Sequence, residues 1–327
     1  MKSIKKIGVL TSGGDAPGMN AAIRAVVRAC VYHTVECVGI YRGYQGLIEG
    51  DFKKLDARSV KNIINRGGTF LKSARSKEFM TAQGRKKAFD NLTNENIDAM
   101  VVIGGDGTFA GASVFINEFD FPIVGLPGTI DNDINGTDFT IGYDTALNTV
   151  VEAIDKIRDT ANSHNRLFLV EVMGRDAGDI ALNAGIGAGA EEILIPEQNM
   201  GRERLLESLS RSKKSGKTSS IVVVSEGDQI GKNIFELATY IEENLKEYEV
   251  RVTVLGHIQR GGSPSCYDRV LASRLGVGAI DALLGDEKNV MIGIVHNKVT
   301  SVPFSETMKG TNEIDVDLIR VADIISI

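Results

Sequence analysis

The chain has 327 residues, 43% of them hydrophobic, and a formal net charge of −6. That length exceeds one ordinary core and makes two domains the default, while the acidic balance argues against general nucleic-acid or membrane-surface binding and leaves room only for local basic pockets. Cys30, Cys37 and Cys266 are scattered, match neither a zinc nor a disulfide spacing, and read as reduced thiols of a cytosolic protein.

From the start of the chain, Ile7–Leu10 is the first predicted strand, and it is too short for a signal-peptide core. No later run reaches membrane-spanning length, so the expected location is the cytoplasm. A Gly-rich turn, Thr11-Ser12-Gly13-Gly14-Asp15, follows, and a helix is expected from about Met19. Further strands are predicted at Cys37–Tyr41, Met100–Ile103, Ile123–Leu126, Leu167–Val172, Ile193–Ile195, Ile221–Val224, Val252–Leu255 and Val290–Val295. These runs are β-branched and rarely alternate with polar residues, as suits strands covered on both faces. Over 144–160, apolar residues at Leu147, Val150, Val151, Ile154 and Ile157 keep helical spacing. Strand–helix alternation implies an α/β architecture with mainly parallel sheets, whose ligands bind beyond the carboxyl ends of the strands. No internal repeat, low-complexity segment or linker marks a domain boundary.

Two acidic, glycine-bracketed loops each follow a predicted buried strand: G-G-D-G-T at 104–108 and P-G-T-I-D-N-D at 127–133. Glycines let a polyphosphate approach the backbone, one carboxylate can hold a metal, and another can take a proton from an accepting hydroxyl. An Asx-rich turn would also suit Asn132 and Asn135. The glycine pair at 13–14, between strand and helix, can present N–H groups to a phosphate, although tight packing accounts for many such turns. Two other patterns are rejected. Gly216-Lys217-Thr218 lacks the P-loop glycine at 211, which is Arg211, and runs into a strand. Gly185–Ala190 satisfies G-x-G-x-x-A but precedes a strand where a dinucleotide fingerprint follows one. There is no Cys/His metal cluster and no G-x-S-x-G elbow.

With T-S-G-G-D-A-P-G-M-N-A at 11–21, N-R-G-G-T at 65–69, the two acidic loops, E-V-M-G-R at 171–175 and L-G-H-I-Q-R-G-G-S-P at 255–264, the chain resembles the ATP-dependent 6-phosphofructokinase family of the bacterial type from about residue 4 almost to its end. The resemblance implies two doubly wound, mainly parallel-sheet domains with chain crossovers. A larger ATP-binding domain would take 1–141 plus 258–309, and a smaller sugar-phosphate-binding domain 142–257 plus 310–327. The implied reaction is glycolytic transfer of the γ-phosphate of ATP to fructose 6-phosphate, with Mg2+ as cofactor and a homotetramer as the assembly.

Carried onto this sequence, the resemblance makes Asp131 the general base, with Thr129, Arg175, Gly14 and Arg75 completing the catalytic group. ATP would be held by Gly14, Arg75, Ser76, Gly105, Asp106, Gly107 and Thr108, and the metal by Asp106 and Asp133. The sugar phosphate would meet Thr129, Ile130, Asp131, Arg166, Met173, Gly174, Arg175, Glu226, Arg251, His257, Ile258, Gln259 and Arg260, with Arg166 and Arg251 serving a neighbouring subunit's site. Arginine's planar fork suits the phosphates. Pyrophosphate-dependent relatives resemble Asp at position 107 and Lys at position 128; glycine at both leaves space for a nucleotide α-phosphate and favours ATP.

Arg24 and Arg28 lie one helical turn apart and share a face, as they would on a merely solvated helix. The resemblance adds them, with Arg58, Arg158, Gly189, Glu191, Lys214 and Lys217, to an allosteric site for ADP or another nucleotide. The match loosens here: Ala57-Arg58 shifts the arginine, Asn62 stands where Asp is common, and Ser215 where Lys is common. The competing readings are a pyrophosphate-dependent enzyme or another kinase using G-G-D-G-T, a catalytically silent nucleotide-sensing homologue, and a nicotinamide-dependent dehydrogenase suggested only by 185–190.

Overall fold

The computed structural model describes residues 4–161, 166–198, 200–214, 220–307 and 314–325. They fall into two compact units, Met1–Thr145 with Arg260–Thr311, and Ala146–Gln259 with Asn312–Ile327. Among the described residues no helix is long and apolar enough to cross a membrane.

The strands of the first unit are β1 (Lys6–Thr11), β2 (Glu36–Ile40), β3 (Phe52–Leu55), β4 (Ala99–Gly104), β5 (Ile123–Pro127), β10 (Val290–Val295) and β11 (Lys298–Pro303). Its helices are α1 (Met19–Tyr32), α2 (Gly43–Glu49), α3 (Ala82–Asn94), α4 (Asp106–Phe119), α9 (Cys266–Leu284) and α10 (Phe304–Thr307). The helix α5 (Tyr143–Ala161) starts in this unit. The second unit has β6 (Arg166–Val172), β7 (Glu192–Leu194), β8 (Ser220–Ser225) and β9 (Glu249–Val254), with α6 (Asp179–Gly187), α7 (Arg202–Lys214), α8 (Ile234–Asn244) and α11 (Val316–Ile325).

The first sheet runs β11-β10-β5-β4-β1-β2-β3. All its pairs are parallel except the two antiparallel edge pairs, β2 with β3 and β10 with β11. From β1 the chain first builds outward to β2 and β3, then returns to place β4 on the other side. That reversal opens a crevice at the carboxyl ends of β1 and β4, the usual ligand position in such sheets. The second sheet, β7-β8-β6-β9, is wholly parallel. The α/β class expected from strand–helix alternation is therefore present in each unit.

Burial explains which strands could be read beforehand. Every residue of β4, β5 and β8 is buried, so their unbroken apolar runs match the two covered faces. The unpredicted β3 and β11 are edge strands in which lysines face solvent, Lys53-Lys54 and Lys298, and edge strands commonly carry such charges. The edge strand β9 corrects another expectation: predicted as covered on both faces, it is buried only at Val250, with Glu249, Arg251 and Val254 exposed.

In the first core, Phe115 is fully buried, with ring centroids 5.0 Å from Phe119, 5.9 Å from Phe79 and 6.1 Å from Phe121. Phe115→Ala is expected to lower unfolding stability by about 3–5 kcal/mol through lost burial and an unfilled cavity. Denaturant unfolding of the parent and variant measures the difference. Helices α1 and α9 approach closely at Gly276, where a Cβ would lie 2.6 Å from that of Ala25; only glycine fits there.

Candidate active site

Three loops meet beyond the carboxyl ends of β1, β4 and β5. Register places Thr11 beside Ile103 and Gly104 beside Pro127. The loops are joined by Ser12 N–H to the Ile103 carbonyl at 2.9 Å and Gly128 N–H to the Gly104 carbonyl at 3.0 Å. The approach is so close at Gly104 that an added Cβ would sit 2.4 Å from the Ser12 carbonyl oxygen. Gly13 has φ +85, a left-handed conformation that glycine adopts without strain.

Asp106 opens α4, behind Gly105, and its Oδ1 accepts the Gly107 N–H at 2.7 Å. Thr108 is buried, and its carbonyl accepts from the Tyr44 hydroxyl at 2.6 Å. Gly107 is exposed, has no left-handed φ, and an added Cβ would meet nothing within 4 Å. Packing therefore gives no reason for glycine in this helix turn, where it costs about 1 kcal/mol relative to alanine. Gly128 is different. A Cβ there would lie 3.0 Å from Ile103 Cγ2 and 3.2 Å from Met19 Cε, so tight packing accounts for that glycine.

Asp131 is 3% exposed, and its amide donates to Thr129 Oγ1 at 3.2 Å. Arg260 Nη2 stands 4.0 Å from Asp131 Oδ1, and Arg260 Nη1 donates to the Asp15 carbonyl at 3.4 Å. The same guanidinium covers Gly14, where an added Cβ would fall 2.4 Å from Nη1. The fold thus brings Gly14, Asp131, Thr129 and Arg260 together. Asp133 is nearly buried. The side chain of Ile130 is wholly buried, which leaves only its main chain to face a ligand. Arg75 is exposed, whereas the Ser76 hydroxyl is engaged with Gln45 Oε1 at 2.7 Å and with the Phe79 N–H at 3.2 Å.

In the second unit, Met173, Gly174 and Arg175 turn away from the carboxyl end of β6. Gly174 has φ +142 and Arg175 φ +52. Glu226 Oε1 accepts the Arg175 N–H at 2.8 Å, while an added Cβ on Gly227 would lie 2.0 Å from the Arg175 carbonyl oxygen. Gln259 is fully buried; it accepts the Met173 N–H at 3.2 Å and donates to the Gly256 carbonyl at 3.0 Å. Its side chain supports this turn from within. His257 and Ile258 are exposed. Glu171, which the sequence did not single out, has its carboxyl pushed up by burial and by Glu226.

Arg166 and Arg251 lie near the amino ends of β6 and β9, where Arg166 pairs with Glu249 and Phe168 with Arg251. Glu249 binds both guanidiniums, 3.0 Å from Arg166 Nε. The seven residues of β6 separate them from the Arg175 turn, about 20 Å of extended chain. Within one chain these arginines do not join the Arg175–Glu226 group.

Of the expected effector residues, Arg158, Gly189 and Glu191 meet in the second unit. Arg158 Nη2 donates to the Ala188 and Gly189 carbonyls at 2.8 and 2.6 Å and lies beside Glu191, whose Oε2 accepts the Ile221 N–H at 2.6 Å. Arg24 and Arg28 are on α1, where partial burial and Arg28 push the Arg24 guanidinium below its ordinary value. Arg58 and Lys214 are exposed, and Lys217 lies outside the described residues.

No group of three or more metal-ligating side chains occurs among the described residues. Asp106 and Asp133 are hard carboxylates, a chemistry that would fit an ion that keeps waters and takes its remaining oxygens from phosphates.

Residues 6–283 match the phosphofructokinase family. The chain is 55% identical over 327 residues to ATP-dependent 6-phosphofructokinase 2 of Bacteroides thetaiotaomicron, with 100% of both chains covered. It is 55% identical over 324 residues to ATP-dependent 6-phosphofructokinase of Halalkalibacterium halodurans, covering 99% of this chain and 100% of that one. Among solved structures, Pichia pastoris phosphofructokinase in the T-state superposes with TM-score 0.87 at 36% identity over 99% of this chain, which spans 37% of the yeast chain. The loops around Gly14, Asp106 and Asp131 thus sit in a chain whose likeness extends end to end: it belongs to the phosphofructokinase family.

Proposed function

We propose that this chain is an ATP-dependent 6-phosphofructokinase that transfers the γ-phosphate of ATP to the 1-hydroxyl of fructose 6-phosphate, giving fructose 1,6-bisphosphate and ADP. The observation that carries the reading is the grouping of buried Asp131 with Thr129, Gly14 and Arg260 beside the α4 start that bears Asp106, in a chain 55% identical throughout to curated ATP-dependent enzymes.

Asp131 takes the proton of the sugar hydroxyl as its oxygen attacks phosphorus. The Gly13–Gly14 turn lets phosphate oxygens approach the backbone, and Thr129 donates to the group in transfer. Arg260 beside Asp131, together with Arg75 and Arg175, offsets the charge of the phosphates. In the second unit, Met173, Gly174, Arg175 and Glu226 are assigned to the sugar phosphate, with His257 following β9. Mg2+ belongs with Asp106 and Asp133, where it would neutralise phosphate charge. Rate enhancement comes from positioning and electrostatics, with no covalent intermediate.

The placement of Arg166 and Arg251 near the amino ends of β6 and β9, away from the Arg175 turn, supports their assignment to a neighbouring subunit's sugar site in a homotetramer. Arg24, Arg28, Arg58, Arg158, Glu191 and Lys214 are assigned to an effector nucleotide such as ADP. The first unit is taken as the ATP-binding domain and the second as the sugar-phosphate-binding domain.

Steady-state assays with ATP and pyrophosphate side by side, varying fructose 6-phosphate with and without ADP, test the reading. ATP is expected to be the efficient donor; pyrophosphate outperforming ATP would overturn the donor assignment.

A further inference from the structure

Asp268 has no place in the chemistry above, yet it is 0% exposed in the first turn of α9. Its Oδ1 accepts the Gly142 N–H at 2.8 Å, and its Oδ2 accepts both the Thr145 N–H at 2.8 Å and the Thr145 hydroxyl at 2.5 Å. Thr145 Oγ1 in turn accepts the Ser265 N–H at 2.9 Å, and the Ser265 hydroxyl, which caps α9 by accepting the Asp268 N–H at 3.2 Å, donates to Asp144 Oδ2 at 2.5 Å. One carboxylate therefore gathers three donors from a single short segment, 142–145.

That segment continues from a strap bound to the loop of Asp131. The Thr140 hydroxyl donates to the Thr129 carbonyl at 2.7 Å, the Thr140 N–H to Asn132 Oδ1 at 2.9 Å, and the Ile141 N–H to the Pro127 carbonyl at 2.8 Å. The strap is wedged tightly. An added Cβ on Gly142, φ +106, would lie 2.7 Å from Ala16 Cβ, and one on Gly18 would lie 2.7 Å from Ile141 Cγ2. Strap and loop have little room to move independently of their fixed end.

We propose that Asp268 is a positioning residue for catalysis: by fixing the strap Thr140–Thr145 at Gly142 and Thr145, it sets the placement of the Thr129–Asn132 loop and hence of Asp131. The inference rests on the reading of Asp131 as the base. Burial pushes the Asp268 carboxyl up to about 6, against the pull of Thr145 and Gly142. Stability alone is a weak reason to keep a buried charge, since well-packed apolar replacements often serve as well. Fixed geometry needs the charge, because it holds three donors at once.

The test compares Asp268→Asn, Thr145→Val and Thr145→Ser in the full-length enzyme. An Asn amide group must face either the Gly142 donor or the two Thr145 donors, and Val removes the hydroxyl that Asp268 and Ser265 share. Each is expected to lower kcat by about tenfold to a hundredfold, the size of effect a small misplacement of a reacting group produces. ATP affinity by calorimetry should stay within about threefold of the parent, a split in line with lost transition-state positioning. Thr145→Ser, which keeps the hydroxyl, should restore near-parental kcat. If Asp268→Asn does not fold, the two Thr145 variants decide. Cooperatively melting Asp268→Asn or Thr145→Val with near-parental kcat and only a lowered Tm would show a structural role and overturn the proposal. Asp131→Ser, assayed alongside, separates the failures. Near-parental turnover there removes the base assignment and this inference with it, whereas its collapse beside an unaffected Asp268→Asn overturns the inference alone.

Discussion

Asp131→Ser is expected to lower kcat by about 10²–10⁴-fold, the usual contribution of a positioned general base, while weakening fructose 6-phosphate binding far less. The side chain stands at the end of β5 in a nearly closed environment, 3% exposed, with Arg260 at 4.0 Å. Serine is small enough to enter the same space and keeps a polar group, but it cannot take up the proton of the hydroxyl. Most of the loss should therefore fall on turnover, since the proton moves only as the transition state forms. Measurement of kcat together with a directly titrated sugar-phosphate Kd checks this. Near-normal turnover in a folded variant would refute the role of Asp131 as base.

Gly107→Asp is the second large effect: kcat/KM for ATP should fall by roughly two to three orders of magnitude, as expected when like charges are juxtaposed at a cost of several kcal/mol. The site is suited to a clean test. A Cβ added at Gly107 would meet nothing within 4 Å, so the substitution begins in open space, and an acidic residue in the first turn of α4 suits the helix dipole. The penalty arises only when nucleotide phosphates arrive. Gly107→Ala serves as the control and should keep most of the ATP activity. Position 128 would be a poorer choice, because a Cβ there lies 3.0 Å from Ile103 Cγ2 and a loss of activity would mix steric damage with altered donor preference. Unchanged kcat/KM for ATP in Gly107→Asp would dismiss the argument that glycine at this position makes room for the nucleotide.

Several of the residues that act at a distance came into view only through folding. Gly142 and Thr145 are 126 and 123 residues from Asp268, and Gln259 reaches Met173 across 86. Nothing in the local pattern around Asp268 sets it apart from other first-turn aspartates of helices. The glycine-bracketed loops were legible for the opposite reason: their glycines and carboxylates answer to close approach and charge within a few neighbouring residues.

The sequence alone determined the buried strands and the acidic turns that follow them, because two covered faces demand unbroken apolar runs and tight turns demand glycine. It did not reveal β3 and β11, whose lysine-bearing edge positions need little burial. Tertiary structure decided that Arg260 stands with Gly14 and Asp131, and that Arg166 and Arg251 share Glu249 near the amino ends of β6 and β9. It also buried Gln259 and placed Asp268 behind the strap that is hydrogen-bonded to the Asp131 loop. Which side chains meet depends on strand order and register, and hydrogen-bond partners a hundred residues apart leave no mark on the spacing of their neighbours.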